Sequence, residues 1–215
     1  TFARHGYHVY ATMRNPQTYP ALAELAKNDN LPLTVLVMDV DNEESVKSAV
    51  KEVMAKAGQI DILVNNAGIG FLGSVEELSL EFFQATMQTN YFGALRCIQA
   101  VLPGMRKRES GHIINITSVA GIIYSPCHGS YSASKAALEA LSESLAGEVG
   151  RFGIKVAVVE PGVIDTPIIT KLDDRKAQSV YPGHVRMDAY LKASASHHVM
   201  PSEVAETVLA IANGQ

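Results

Sequence analysis

Residues 111–141 constrain this chain more than any other stretch. A β-branched run, His112-Ile113-Ile114-Asn115-Ile116-Thr117, precedes a loop with Gly121, Pro126 and Gly129. Next comes Tyr131-Ser132-Ala133-Ser134-Lys135-Ala136-Ala137-Leu138. A short apolar run bounded by turn residues predicts a buried strand, and the Ala- and Leu-rich segment predicts a helix. The same alternation recurs along the chain, with strands expected at 7–12, 33–38, 60–64 and 153–159. Helices are expected at 19–27, 43–57, 79–108 and from 201 to about 212. Strands alternating with helices build a parallel sheet covered on both faces. No repeat or linker interrupts the pattern, so the expectation is an α/β, doubly wound, Rossmann-like single domain over residues 1–215.

Composition narrows the function. The net charge is −4 with no basic block, which argues against nucleic acid as a partner. No apolar run approaches the ~20 residues needed to span a bilayer. The two cysteines, Cys97 and Cys127, suggest no disulfide framework and fit a cytoplasmic protein; each reads as a packing residue. None of the seven histidines pairs with Cys or carboxylates at ligand spacing, so no metal is expected.

Tyr131 and Lys135 are four apart and share one helix face. A tyrosine phenol has a pKa of about 10, and a nearby ammonium lowers it toward the range useful for acid–base work. Ser118 leaves the carboxyl end of the preceding strand, the edge where parallel sheets bind ligands. It is suited to hold charge on a substrate oxygen. The Tyr–Lys spacing alone describes an ordinary helix pair. A strand-end serine thirteen residues before the tyrosine favours the chemical reading.

Other strand ends carry matching signals. Asn65-Asn66-Ala67-Gly68 lets backbone approach a ligand, and its amides can tie neighbouring strands together. Glu160-Pro161-Gly162-Val163-Ile164-Asp165-Thr166 breaks the last strand and exposes backbone groups. At Met13-Arg14, where nucleotide-binding folds choose a cofactor, the acidic position holds Met13 and Arg14 follows, which favours a 2′-phosphate and hence NADP, with NAD possible. Asp39 reads either as an adenine contact or as the N-terminal cap of the following helix. Asn90, beside Gly93 in a helical stretch, marks a kink and a trapped water.

Ser118, Tyr131 and Lys135, together with Asn65–Gly68 and Pro161-Gly162, resemble the short-chain dehydrogenase/reductase family, over nearly the whole chain. The run Tyr10-Ala11-Thr12-Met13-Arg14-Asn15 is similar to the family's steroid and retinol branch. The resemblance implies catalytic roles for Asn90, Ser118, Tyr131 and Lys135, with Asn90 holding a water linked to the lysine. It implies cofactor contacts at Arg14, Asp39, Asn66, Ala67, Gly68, Tyr131, Lys135, Pro161, Gly162, Val163 and Thr166. It also implies homodimer or homotetramer interfaces on the helices around Asn90 and after Tyr131. The family's first strand, its glycine-rich phosphate loop and its closing strand are absent from the sequence, so an N-terminally cut chain is expected.

Residues 167–200 are the least regular and read as a substrate lid. Ile168, Ile169, Leu172, Val180, Tyr181, Val185, Met187, Tyr190 and Leu191 either line an apolar pocket or form small packed helices; His197-His198 reads as a solvated pair. The leading expectation is therefore an NADP-dependent oxidoreductase interconverting a lipophilic carbonyl, steroid- or retinoid-like, and its alcohol. A nucleotide-sensing regulator without chemistry and a weakly binding fragment are the alternatives.

Overall fold

The computed structural model describes residues 1–166, 168, 179–195 and 199–214. Its strands are β1 (Val9–Met13), β2 (Leu33–Val37), β3 (Ile62–Asn65), β4 (Gly111–Ile116) and β5 (Ile154–Val159). All the pairings among them are parallel. The helices are α1 (Ala21–Asn28), α2 (Glu43–Ala57), α3 (Leu80–Met87), α4 (Ala94–Arg108), α5 (Gly129–Val149), α6 (Pro182–Ala195) and α7 (Pro201–Ala212).

The expected sheet is split in two. β1 pairs with β2, while β3-β4-β5 form a separate sheet, with β4 in the middle. β1 and β3 each keep one edge without a strand partner among the described residues. The two sheets are bridged through the loop after β2. Thr89 Oγ1 donates to Asp41 at 2.9 Å, and the Arg96 guanidinium donates to the Val40 carbonyl at 3.0 Å.

Period-two alternation along β4 explains the two layers. Ile113 faces one way and packs with Ile98, Val101 and Met105 of α4, Leu145 and Val149 of α5, and Ile154 of β5. Ile114 and Ile116 face the other way, against Val159 and Val208 of α7, with Phe2 alongside. Ile113 and Ile114 are fully buried, each worth about 1.5–3 kcal/mol of apolar transfer. Two isoleucines on opposite faces of one strand require cover on both, which is what α4 and α5 on one side and α7 on the other supply.

Several boundaries follow from local chemistry. Asn42, not Asp39, caps α2: its side chain accepts from the Ser45 N–H at 2.9 Å, with Glu43 and Glu44 in the first turn. Asp39 instead accepts from Asp41 N at 3.1 Å, closing a tight turn. The stretch 79–108 is one rod interrupted by a π-turn over Gln88–Gly93, which contains Asn90. Gly93 is required there, because a Cβ would come within 2.8 Å of Val40 Cγ2. Within residues 167–200, the described stretch from 182 to 195 is regular. Pro182 sits at the first helical position, where its missing N–H costs nothing, and opens the fourteen-residue α6.

Candidate active site

A cavity of about 770 Å³ opens beyond the carboxyl ends of β3, β4 and β5. Its walls include the β3 end (Val64, Asn66, Gly68), the β4 end (Ile116 to Ala120), the β5 end (Pro161 to Ile164 and Thr166), α5, and α6 with α7. Ser118, Tyr131 and Lys135 share its lining. The cavity is within the size range of small-molecule sites.

α5 carries the tyrosine and the lysine on one face. Lys135 is almost fully buried, and its Nζ donates to the Ile116 carbonyl at 2.8 Å. The same nitrogen lies 5.6 Å from the centre of the Tyr131 ring. Burial pulls the Lys135 pKa down to about 8, against the opposing pull of the Glu139 carboxylate one turn on. Burial likewise pushes the Glu139 carboxyl up, with Thr117, Glu160, Glu143 and Lys135 adding smaller effects of both signs.

The expectation of a lysine-depressed phenol is not met. Burial pushes the Tyr131 pKa above its ordinary value, and the Ser118 hydroxyl pulls only partly back. The reason is geometric: the ammonium spends a hydrogen bond on Ile116 and lies over the ring, so desolvation dominates. Tyr131 is thus held as a neutral phenol.

Ser118 caps a short 3-10 turn by accepting from Ala120 N, and donates to the Pro161 carbonyl at 3.3 Å. It thereby links the β4 and β5 ends. Asn90 is 1% exposed and its amide is fully used. It accepts from Ile69 N at 2.8 Å and donates to Ile69 O and to Ser134 Oγ, each at 2.9 Å. Its side chain therefore clamps the loop after Gly68 onto α5. Asn65 makes a second buried clamp. It donates to Asn115 Oδ1 at 2.8 Å, and Asn115 donates to Ser142 of α5 at 2.7 Å.

The other expected residues fall in two groups. Asn66, Gly68, Pro161, Gly162, Val163 and Thr166 line the cavity, whereas Ala67, Arg14 and Asp39 do not. Arg14 stands exposed at the carboxyl end of β1, with no hydrogen bond or ion pair among the described residues. Of the lid residues, Ile168, Met187, Tyr190 and Leu191 line the cavity, while Val180, Tyr181 and Val185 do not. Ile169, Leu172 and His197-His198 lie outside the described residues.

The residues present fit a nicotinamide cofactor. A Cβ at Gly68 would sit 3.5 Å from Asn90 Oδ1 and 3.7 Å from Lys135 Nζ, so the glycine keeps open the space beside the buried ammonium. At Gly162 a Cβ would meet nothing within 4 Å, leaving the β5 end open to a ligand. Among the described residues no group of His, Cys, Asp or Glu is arranged to hold a metal, and no helix is long and apolar enough to cross a membrane.

Three residues escaped the sequence reading. His128 stacks on Tyr131, with ring centroids 4.8 Å apart and planes at 17°. Ser134 joins Asn90 to the Tyr131 carbonyl, to which it donates at 2.7 Å. Glu139 lies behind the lysine. Their spacings, three before Tyr131, three after it and four after Lys135, are helical neighbour spacings and were the available signal.

Parallel strands with helices on both faces, and a cleft beyond their carboxyl ends, define a Rossmann-like α/β protein. The profile of the short chain dehydrogenases matches residues 1–177, and the chain belongs to that family. It is 41% identical to human "Retinol dehydrogenase 8" over 197 residues, covering 87% of this chain and 62% of that protein. It is 43% identical to "3-ketodihydrosphingosine reductase" of Bacteroides thetaiotaomicron over 162 residues, covering 75% of this chain and 56% of that one. The chain thus spans about three fifths of the length of these relatives. Among solved structures, a gluconate 5-dehydrogenase from Burkholderia cenocepacia in complex with NADP and tartrate superposes with a TM-score of 0.74 at 31% identity, covering 81% of this chain and 69% of that one.

Proposed function

We propose that this chain is an NADP(H)-dependent oxidoreductase that interconverts a lipophilic ketone or aldehyde with its alcohol. The observation that carries the reading is the convergence of Ser118, Tyr131 and a buried Lys135 on one largely apolar cavity at the strand ends. Family membership and the retinol dehydrogenase relative support the reaction class. The free Arg14 guanidinium at the β1 end supports a 2′-phosphate on the cofactor, and the NADP complex of a structural neighbour agrees with it.

Gly68 and Thr166 are among the lining residues that would hold a nicotinamide cofactor, which would supply or accept the hydride when bound. The chain's own residues handle the oxygen. Ser118 orients the carbonyl by hydrogen bonding. Tyr131, held neutral by burial, donates its proton to the carbonyl oxygen in reduction. Lys135, with a pKa of about 8, keeps its proton at neutral pH and stabilises the phenolate left behind. Asn66, Gly68, Tyr131, Lys135, Pro161, Gly162, Val163 and Thr166 line the cavity and would hold the cofactor together with Ala67, while Arg14 would meet the 2′-phosphate and Asp39 the adenine. Asn90 supports the site by pinning Ile69 and Ser134. Met187, Tyr190 and Leu191 give the cavity its apolar wall.

The chain acts as one domain, with residues 167–200 as the substrate lid. Cytoplasmic residence fits the two free cysteines, Cys97 and Cys127, and self-association as a dimer or tetramer completes the reading.

The test is Tyr131→Phe, assayed by NADPH absorbance against a panel of lipophilic carbonyls. Turnover falls by at least about 100-fold while NADPH binding is retained. Equal turnover of the variant and the parent would refute the proton-donor role.

A further inference from the structure

We propose that His128 is a specificity-determining residue that hydrogen-bonds a second oxygen of the substrate, a hydroxyl on the carbon next to the reacting carbonyl or one further. This rests on the carbonyl–alcohol reading above and narrows its substrate class.

Three observations carry it. First, His128 lines the cavity together with Tyr131 and Ser118. Secondly, its imidazole makes no hydrogen bond among the described residues. Its backbone is bonded through Ser125 O and Ser132 N, while the side chain belongs to a residue of the cavity lining. The half-buried ring thus keeps its hydrogen-bonding capacity for a ligand group. Thirdly, the ring is not free to turn aside, because it stacks on Tyr131 with centroids 4.8 Å apart and planes 17° apart. The stack keeps the imidazole beside the ring that carries the reacting phenol. A hydroxyl close to the reacting carbonyl of a substrate held at Tyr131 and Ser118 therefore comes near the imidazole.

Burial holds the His128 pKa down to about 4, so at neutral pH the ring is an uncharged imidazole with one donor and one acceptor. Such a group matches a hydroxyl, which can both accept and donate. It gives a mostly apolar cavity one polar anchor beside the reacting centre. A substrate lacking the second oxygen leaves that anchor unpaired and is disfavoured.

The experiment compares kcat/KM for a medium-chain methyl ketone with those for its α-hydroxy and β-hydroxy counterparts, using NADPH and NADH in turn. The parent protein is expected to prefer one hydroxy ketone by about tenfold or more. His128→Phe keeps a ring against Tyr131 but removes both nitrogens, and brings the ratio to about one. His128→Asn, which restores a donor and an acceptor, gives a ratio above that of the Phe variant. The ratio reads specificity whatever the overall loss in rate. A parent ratio near one with ketone turnover intact overturns the His128 assignment and leaves the carbonyl–alcohol reading standing. So does an unchanged ratio in His128→Phe, or an Asn variant no better than Phe. Failure of the parent to turn over any carbonyl with either cofactor overturns both.

Discussion

Replacing Lys135 with methionine should make the protein more stable while removing its activity. Lys135 is 4% exposed and its pKa is pulled from 10.5 to about 8, chiefly by burial. At about 1.4 kcal/mol per pKa unit, folding penalises the charged lysine by about 3 kcal/mol. Methionine has similar length and no charge. Its cost is the lost bond to Ile116 O, at 2.8 Å, which leaves a carbonyl short of a donor and takes back about 1 kcal/mol. The net gain at pH 7 is about 2 kcal/mol, or roughly 4–8 °C in Tm for a chain of this size. The pH dependence makes the test specific. Below about pH 8 both folded and unfolded lysine are protonated, so the penalty is fully present. Between about 8 and 10.5 the unfolded chain holds a proton that the folded one has lost, so parent stability rises with pH. The advantage of Lys135→Met must therefore shrink across that window. Urea unfolding of both proteins without nicotinamide, at several pH values from 7 to 10.5, measures it. A variant less stable than the parent at pH 7, or a gap that stays constant to pH 10.5, would refute the reasoning.

Arg14→Glu should weaken NADPH binding by about tenfold or more and leave NADH binding nearly unchanged, as read by fluorescence titration. Equal losses for both cofactors would remove Arg14 from the 2′-phosphate. Gly93→Ala drives a methyl to within 2.8 Å of Val40 Cγ2 and should cost about 1–3 kcal/mol, visible as a lower urea midpoint; an unchanged midpoint contradicts the packing of the π-turn. The Glu77 carboxylate accepts from Ser179 Oγ at 2.7 Å, Val180 N at 2.9 Å and Ser74 Oγ at 2.8 Å, so it latches the residues just before α6 to the loop before α3. Those bonds, Ser179's first, hold its pKa below the ordinary carboxylate value. The latch is thus present at neutral pH and lost as pH falls through that lowered value. Glu77→Ala should speed hydrogen exchange at the Val180 amide, and unchanged exchange would rule the latch out.

Much of the scaffold was legible in the chain. Helix α2 runs over the residues its apolar stripe indicated, because Asn42 and Gly58 are local signals for its ends. Tyr131 and Lys135 share a face because helical periodicity demands it. The π-turn at Asn90 was foreshadowed by Asn and Gly93, yet the fate of the amide was not. Ile69 and Ser134 reach it from 21 and 44 residues away. The α6 helix was hidden by Pro182 and Gly183, residues that read as breakers until Pro182 is placed at a helix start.

By itself, then, the sequence determined the alternation of strands and helices, the face shared by tyrosine and lysine, and the family. Short-range patterns of apolar and turn residues specify these. Only the tertiary structure decided that Tyr131 is held neutral, that Lys135 bonds Ile116 and sits near pH 8, and that His128 lies flat against the tyrosine. Desolvation sums over every neighbouring atom brought in by β4, β5 and the surrounding helices, and no local spacing records that sum.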